Sequence, residues 1–108
     1  MLTMNNNLEE KLKELRKGYL NKIKDTFLDF KMLLNEEPIN INEIYSKVHT
    51  ISGTSGMYGL KDLSETSTEF EIYLKPIKEN LNFANINELK DKFSIYLNDI
   101  EKILLNGE

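Results

Sequence analysis

The chain has 108 residues, enough for one small domain with one hydrophobic core. Its net charge of −4 argues against a nucleic-acid-binding protein, and no apolar run is long enough to span a membrane. The absence of cysteine and the single histidine leave no convincing ligand set for a metal, so we expect no metal or other cofactor. Because the first residues lack the layout of a secretory signal, we expect a cytoplasmic protein.

The first predicted helix is long. Apolar residues recur at steps of three and four from Leu8 to Leu34, which is the period of an amphipathic helix. Asn7 precedes this pattern and is the predicted cap. Gly18 weakens a helix by about 1 kcal/mol relative to alanine, so we expect a bend or a division near it.

The second predicted helix opens with a capping box formed by Asn40 and Glu43. It is expected to end near Tyr58, with Gly59 as a cap residue in the left-handed conformation. Its predicted buried stripe comprises Ile44, Val48, Ile51 and Ser55.

Two more helices complete the chain. The third is predicted to be interrupted by Pro76, which removes a backbone donor and clashes with the preceding turn. The fourth begins with another capping box, Asn85 and Glu88. The predicted stripes are Leu60, Leu63, Ser67, Phe70 and Leu74 in the third helix and Ile86, Leu89, Phe93, Tyr96, Ile100 and Leu104 in the fourth. Four helices with short connections predict an all-α, antiparallel up-down four-helix bundle over residues 8–106, preceded by a disordered or frayed segment, 1–7.

The only histidine lies on a helix face that lacks large side chains. Residues three, four and seven positions after His49 share its face, and one turn earlier there is another small residue. These four small residues are Ser46, Ser52, Gly53 and Gly56. Each glycine inside a helix destabilises it by roughly 0.5–1 kcal/mol relative to alanine. The glycines on this face therefore require an explanation. Either another helix of the chain packs closely there, or a second protein must reach His49.

The chemistry open to such a residue is limited. A neutral imidazole nitrogen is a nucleophile toward phosphorus, and histidine forms covalent intermediates. A single histidine without a fixed triad gives little support for hydrolysis. No phosphate-binding loop of the G-x-x-x-x-G-K-[ST] kind is present, so the chain is not expected to bind ATP.

The segment around this histidine resembles histidine phosphotransfer (HPt) domains. The residues that carry the resemblance are His49, Ile51, Gly53, Thr54, Ser55, Gly59 and Leu60, with Leu63 and Glu71 where the family often has a leucine and a glutamate. The resemblance implies that His49 is phosphorylated, through its Nε2 atom, and exchanges the phosphoryl group with an aspartate of a response-regulator receiver domain. It also implies that the receiver supplies Mg²⁺, that a sensor histidine kinase is the ultimate donor, and that the chain is a monomeric carrier and not an enzyme.

One position departs from the family pattern. HPt domains often have lysine or arginine three residues after the histidine, where this chain has Ser52. We therefore expect a less stabilised phosphohistidine, or compensation by Lys47, Lys61 or a lysine of the partner. Counting from the turn near Tyr58 places Thr68 and Glu69 level with the histidine. Either could accept a proton from the inner ring nitrogen, or both could be solvated polar residues.

Two other functions fit parts of the pattern. An interaction module would dock a signalling partner through the face around Gly53 and Gly56 without being phosphorylated. A dimerising helical hairpin of a kinase is a weaker alternative, because such hairpins usually have an acidic residue directly after the histidine, and this chain has Thr50.

Overall fold

The computed structural model describes residues 2–106, with side chains described from residue 7 onward. Within this range the backbone forms four α-helices and no strand. The helices are α1 (Leu2–Leu34), α2 (Ile41–Met57), α3 (Lys61–Glu79) and α4 (Ile86–Asn106), with a short 3₁₀ turn at Leu81–Phe83. None of the helices in the described part of the chain is long and apolar enough to cross a lipid bilayer.

Successive helices run in opposite directions, and their apolar stripes meet in one core, as the sequence predicts for an antiparallel bundle. Phe30 of α1 makes edge-to-face contacts with Phe93 and Tyr96 of α4, and Phe70 of α3 stacks on the same two rings. The predicted stripe of α2 is buried throughout, and so are the five predicted residues of the third helix. In α4, by contrast, Ile86 is exposed.

The first helix differs from its prediction at its amino-terminal end. It begins at Leu2, so Asn7 lies inside the helix and does not cap it. It also continues through Gly18 without a division. Because Gly18 is exposed and would meet no atom if it carried a side chain, its cost is only the modest local loss of helix propensity. Met1 lies outside the described residues, and fraying of residues 1–7 stays a prediction.

The amino-terminal part of α1 also extends beyond the rest of the bundle. Arg16 and Tyr19 already contact the turn that ends α2, and within the described part of the chain no helix covers the residues before them. Three leucines of the predicted stripe are exposed as a result, namely Leu8, Leu12 and Leu15. Periodicity predicted the apolar face of this segment, but burial also requires a neighbouring element, and none of the described helices covers that face.

The turn between α2 and α3 positions the site. The N–H of Leu60 donates to the carbonyl of Ser55, and the N–H of Gly59 donates to the carbonyl of Gly56, which is the Schellman arrangement at a helix end. Gly59 has a φ of +71°, so the predicted left-handed cap is confirmed. The guanidinium of Arg16 donates to the carbonyl of Tyr58 at 2.8 Å and ties α1 to this turn.

The asparagine of each predicted capping box caps its helix. The Asn40 side chain accepts from the N–H of Glu43, and the Asn85 side chain accepts from the N–H of Glu88, each at 3.1 Å. The predicted interruption at Pro76 is wrong, since α3 continues to Glu79. Pro76 removes one hydrogen bond close to the helix end, and burial of Leu74 and Ile77 on either side holds the last turn in place.

Candidate functional site

The site lies where α2 and α3 pack side by side. Residues at equal sequence distance from Leu60 face one another, because the tight turn places Leu60 at the pivot of the two helices. The facing pairs in contact are His49 with Glu71 and Ser52 with Thr68, and Gly56 lies opposite Ser64. This register determines which side chain of α3 reaches the histidine.

His49 is exposed on the outer side of this interface. Its side chain retains 66 % of its accessible surface, whereas that of Glu71 retains 19 %. The Nδ1 atom of His49 lies 2.7 Å from Oε2 of Glu71, which is a short hydrogen bond. The hydrogen bonds of the described residues include none to Nε2. The ring is therefore held at its inner nitrogen and open at its outer nitrogen.

This hydrogen bond selects the tautomer of the ring. An ionised carboxylate can only accept hydrogen bonds. Nδ1 of a neutral His49 must therefore carry the ring proton and donate a hydrogen bond to Glu71. The Nε2 atom then has the free lone pair and is the nucleophilic atom. If Nε2 gains an electrophile, the ring becomes cationic and the carboxylate of Glu71 stabilises that charge, as the aspartate does in a hydrolase triad.

Glu71 contacts the ring, whereas Thr68 and Glu69 lie elsewhere, so the alternative in which one of those two residues orients the ring is wrong. The prediction counted from a turn near Tyr58, whereas the helices pivot at Leu60, so the residue that contacts His49 lies two to three positions later along α3 than predicted. Thr68 faces Ser52 instead, and Glu69 lies on the side of α3 that faces α4, in a groove with Tyr73 and Lys92. A shift of two or three positions along a helix turns a side chain to a different face.

The two glycines next to the site have different structural reasons. A Cβ atom added to Gly53 would meet no atom within 4 Å, so this position faces open space beside His49. A Cβ atom on Gly56 would lie 3.4 Å from Oγ of Ser64, so Gly56 faces the approaching α3. Packing of another helix thus accounts for Gly56 alone, and access for a second protein over Gly53 stays a prediction.

The small polar residues are also divided between two surfaces. Ser52 is hydrogen-bonded to Thr68, and its carbonyl accepts from the hydroxyl of Ser64 at 3.0 Å, so it belongs to the α2–α3 interface. Ser46 is exposed and lines the groove between α1 and α2. Ser46 therefore lies toward α1, away from the ring's contact with Glu71.

A further residue beside the histidine was not predicted. Tyr45, one turn earlier on α2, stacks nearly parallel to the His49 ring, with an angle of 7° and a centroid distance of 6.0 Å. Its hydroxyl donates to Oε2 of Glu71 at 3.4 Å. The spacing of four residues would have placed both rings on one helix face, but it could not show that both reach the same carboxylate.

The cations considered as substitutes for the missing lysine at position 52 are engaged elsewhere. Nζ of Lys47 lies 3.8 Å from the carboxylate of Asp29 on α1, and Nζ of Lys61 lies 3.9 Å from that of Glu65. In this arrangement neither ammonium group is directed at His49. Within the described residues, no group of three or more histidine or acidic side chains could hold a metal ion.

Comparison with known proteins identifies a family. The model of one protein family, described as the Hpt domain, matches residues 6–101, which is nearly the whole chain. Searches of curated proteins and of solved structures found no match.

Proposed function

This chain belongs to the Hpt domain family, and we propose that it serves a phosphorelay by carrying a phosphoryl group on His49. The observation that carries the proposal is the pairing of an exposed Nε2 with an Nδ1 atom held by Glu71. Membership of the family implies phosphotransfer, and this geometry supports His49 as the residue that performs it.

The transfer step follows from the site. The Nε2 lone pair of His49 attacks the phosphorus of an aspartyl phosphate on a receiver domain of a response regulator. An Nε2–P bond forms as the P–O bond to the aspartate breaks, and the electron pair of that bond remains on the aspartate carboxylate. The ring keeps its Nδ1 proton and becomes cationic, and Glu71 compensates the charge. The reverse sequence returns the phosphoryl group to a receiver.

The two proteins contribute different groups to the transfer. The domain provides the nucleophile and an open approach over Gly53, while the receiver contributes the aspartate and the Mg²⁺ that it binds. Positioning of the two reactants then supplies most of the acceleration. The phosphoryl group enters the relay from a sensor histidine kinase, and the carrier acts as a cytoplasmic monomer and not as an enzyme.

The test is transfer from receiver domains of the same genome, charged beforehand with acetyl phosphate and Mg²⁺ and then freed of the small phosphodonor. We expect acid-labile, base-stable phosphate on the wild-type chain and none on His49→Gln. Ser94→Gln, an exposed substitution on α4, is the matched control and should be labelled like the wild type.

Absence of label on the wild type with every receiver would contradict the proposal. If such a receiver still bound both the wild type and His49→Gln, the chain would be a docking module that is not phosphorylated.

A further inference from the structure

Tyr45 and His49 share one carboxylate. The Tyr45 hydroxyl lies 3.4 Å from Oε2 of Glu71, and Nδ1 of His49 lies 2.7 Å from the same oxygen atom. Because the carboxylate is an acceptor, the phenol and the imidazole both donate to it. Glu71 is thus held by two donors from consecutive turns of α2.

The Tyr45 ring is itself held in place. It is partly buried against the core, and Nζ of Lys78 lies 4.6 Å from its centroid, within the range of a cation–π contact. The ring plane lies within 7° of that of His49. The core and Lys78 thus hold the Tyr45 ring where its hydroxyl reaches the carboxylate of Glu71.

We propose that Tyr45 is a positioning residue for His49, acting through Glu71. Its hydroxyl keeps the carboxylate of Glu71 aimed at Nδ1, which keeps the proton on Nδ1 and the lone pair on Nε2. Partners that orient a functional histidine in this indirect way often affect its chemistry strongly, because the tautomer depends on the hydrogen bond at the other nitrogen. Only the effect on phosphorylation rests on the proposed function, since the tautomer of His49 is a property of the isolated chain.

The hydroxyl can be tested without removing the ring. Since the chain has one histidine, ¹⁵N NMR of the imidazole reports the tautomer of His49 directly. In Tyr45→Phe we expect the population with the proton on Nε2 to rise about threefold relative to the Nδ1–H form, as loss of one modest hydrogen bond implies. Phosphorylation by a charged receiver should slow by less than this factor, because the rate follows the fraction of rings that keep the lone pair on Nε2 and this form remains the major one.

Two further variants separate positioning from a general structural effect. Tyr73→Phe is the matched control, because Tyr73 also lies partly buried beneath a lysine, Lys92, but does not contact Glu71; it should leave the tautomer unchanged. Glu71→Ala should shift the tautomer more than Tyr45→Phe does. Adding Tyr45→Phe to Glu71→Ala should then produce no further shift, because the hydroxyl acts only through the carboxylate.

An unchanged tautomer in Tyr45→Phe, or independent additive shifts in the double variant, would overturn the inference. Failure of the phosphorelay proposal is distinguishable, since it would appear as an unlabelled wild type whatever the tautomer.

Discussion

The hydroxyl of Ser52 lies 2.5 Å from the hydroxyl of Thr68, across the interface between α2 and α3. Thr68 donates its own proton to the carbonyl of Ser64 at 2.8 Å, so Ser52 is the donor in the hydroxyl pair. The proton of Ser52 is therefore used within the bundle. A phosphoryl group on His49 would receive neither a positive charge nor a free donor from position 52 in this arrangement.

Replacing this serine by lysine should prolong the life of the phosphohistidine. An exposed ion pair contributes roughly 0.2–1 kcal/mol, so we expect Ser52→Lys to slow hydrolysis of the phosphoryl group up to about fivefold. The measurement is the loss of phosphate from purified, phosphorylated domain at neutral pH, followed by ³¹P NMR. Because the effect is electrostatic, it should decrease as salt is added.

The matched control is Thr50→Lys. It adds the same charge close to the histidine in sequence, but on the groove that α2 forms with α1. Equal lifetimes for wild type, Ser52→Lys and Thr50→Lys would show that charge at position 52 does not stabilise the phosphorylated ring.

We expect Gly53 to leave room for a receiver to reach His49 and to lower the stability of the folded domain. Because an added Cβ would meet no atom, Gly53→Ala should raise the free energy of unfolding by about 0.5–1 kcal/mol, the usual difference between the two residues in a helix. Urea denaturation of the wild type and the variant measures this. Gly18→Ala, at the other helical glycine with open space around it, should stabilise by a similar amount.

A larger side chain at position 53 tests the approach of the receiver to His49 separately from the stability of the domain. Gly53→Gln should slow phosphoryl transfer from a charged receiver at least tenfold while the domain stays folded, because the side chain occupies the approach to Nε2; each tenfold loss corresponds to about 1.4 kcal/mol in the transition state. Gly18→Gln should transfer at the wild-type rate. Wild-type transfer by Gly53→Gln would mean that the receiver does not approach over this position.

Tyr96 should make stability depend on alkaline pH. Its side chain is buried, and burial raises its pKa above the ordinary value of 10.0. The folded state therefore holds the phenolic proton more tightly than the unfolded state. The corresponding stabilisation is complete below about pH 10 and is lost as the pH rises toward the higher pKa of the folded protein. Urea denaturation at several pH values between about 8 and 11 measures the decline.

The matched variant removes both partners of one buried hydrogen bond. The Tyr96 hydroxyl pairs with that of Ser67 at 2.8 Å, so Tyr96→Phe alone leaves a buried donor unsatisfied and should cost about 1–3 kcal/mol at neutral pH. Tyr96→Phe combined with Ser67→Ala should recover most of that loss and show a shallower alkaline decline. A decline as steep as that of the wild type would exclude Tyr96 as its source.

The secondary structure and the candidate histidine could both be predicted from the sequence. Periodicity identified four helices, and side chains within three residues of each start identified the caps at Asn40 and Asn85, because these signals act over one helical turn. The same local geometry placed small residues beside the only histidine. The resemblance to HPt domains then pointed to phosphoryl chemistry, and the family match confirms the family.

The contacts between helices depend on residues that are far apart in the sequence. Which residue of α3 meets His49 depends on where the connecting turn pivots, because moving the pivot by one residue would replace Glu71 by a residue two positions away that points elsewhere. The different surroundings of Gly53 and Gly56, and the exposure of the stripe from Leu8 to Leu15, likewise depend on where neighbouring helices begin and end. A helix carries its own period and caps, but only packing against a second helix determines which face is covered and which partner a side chain reaches.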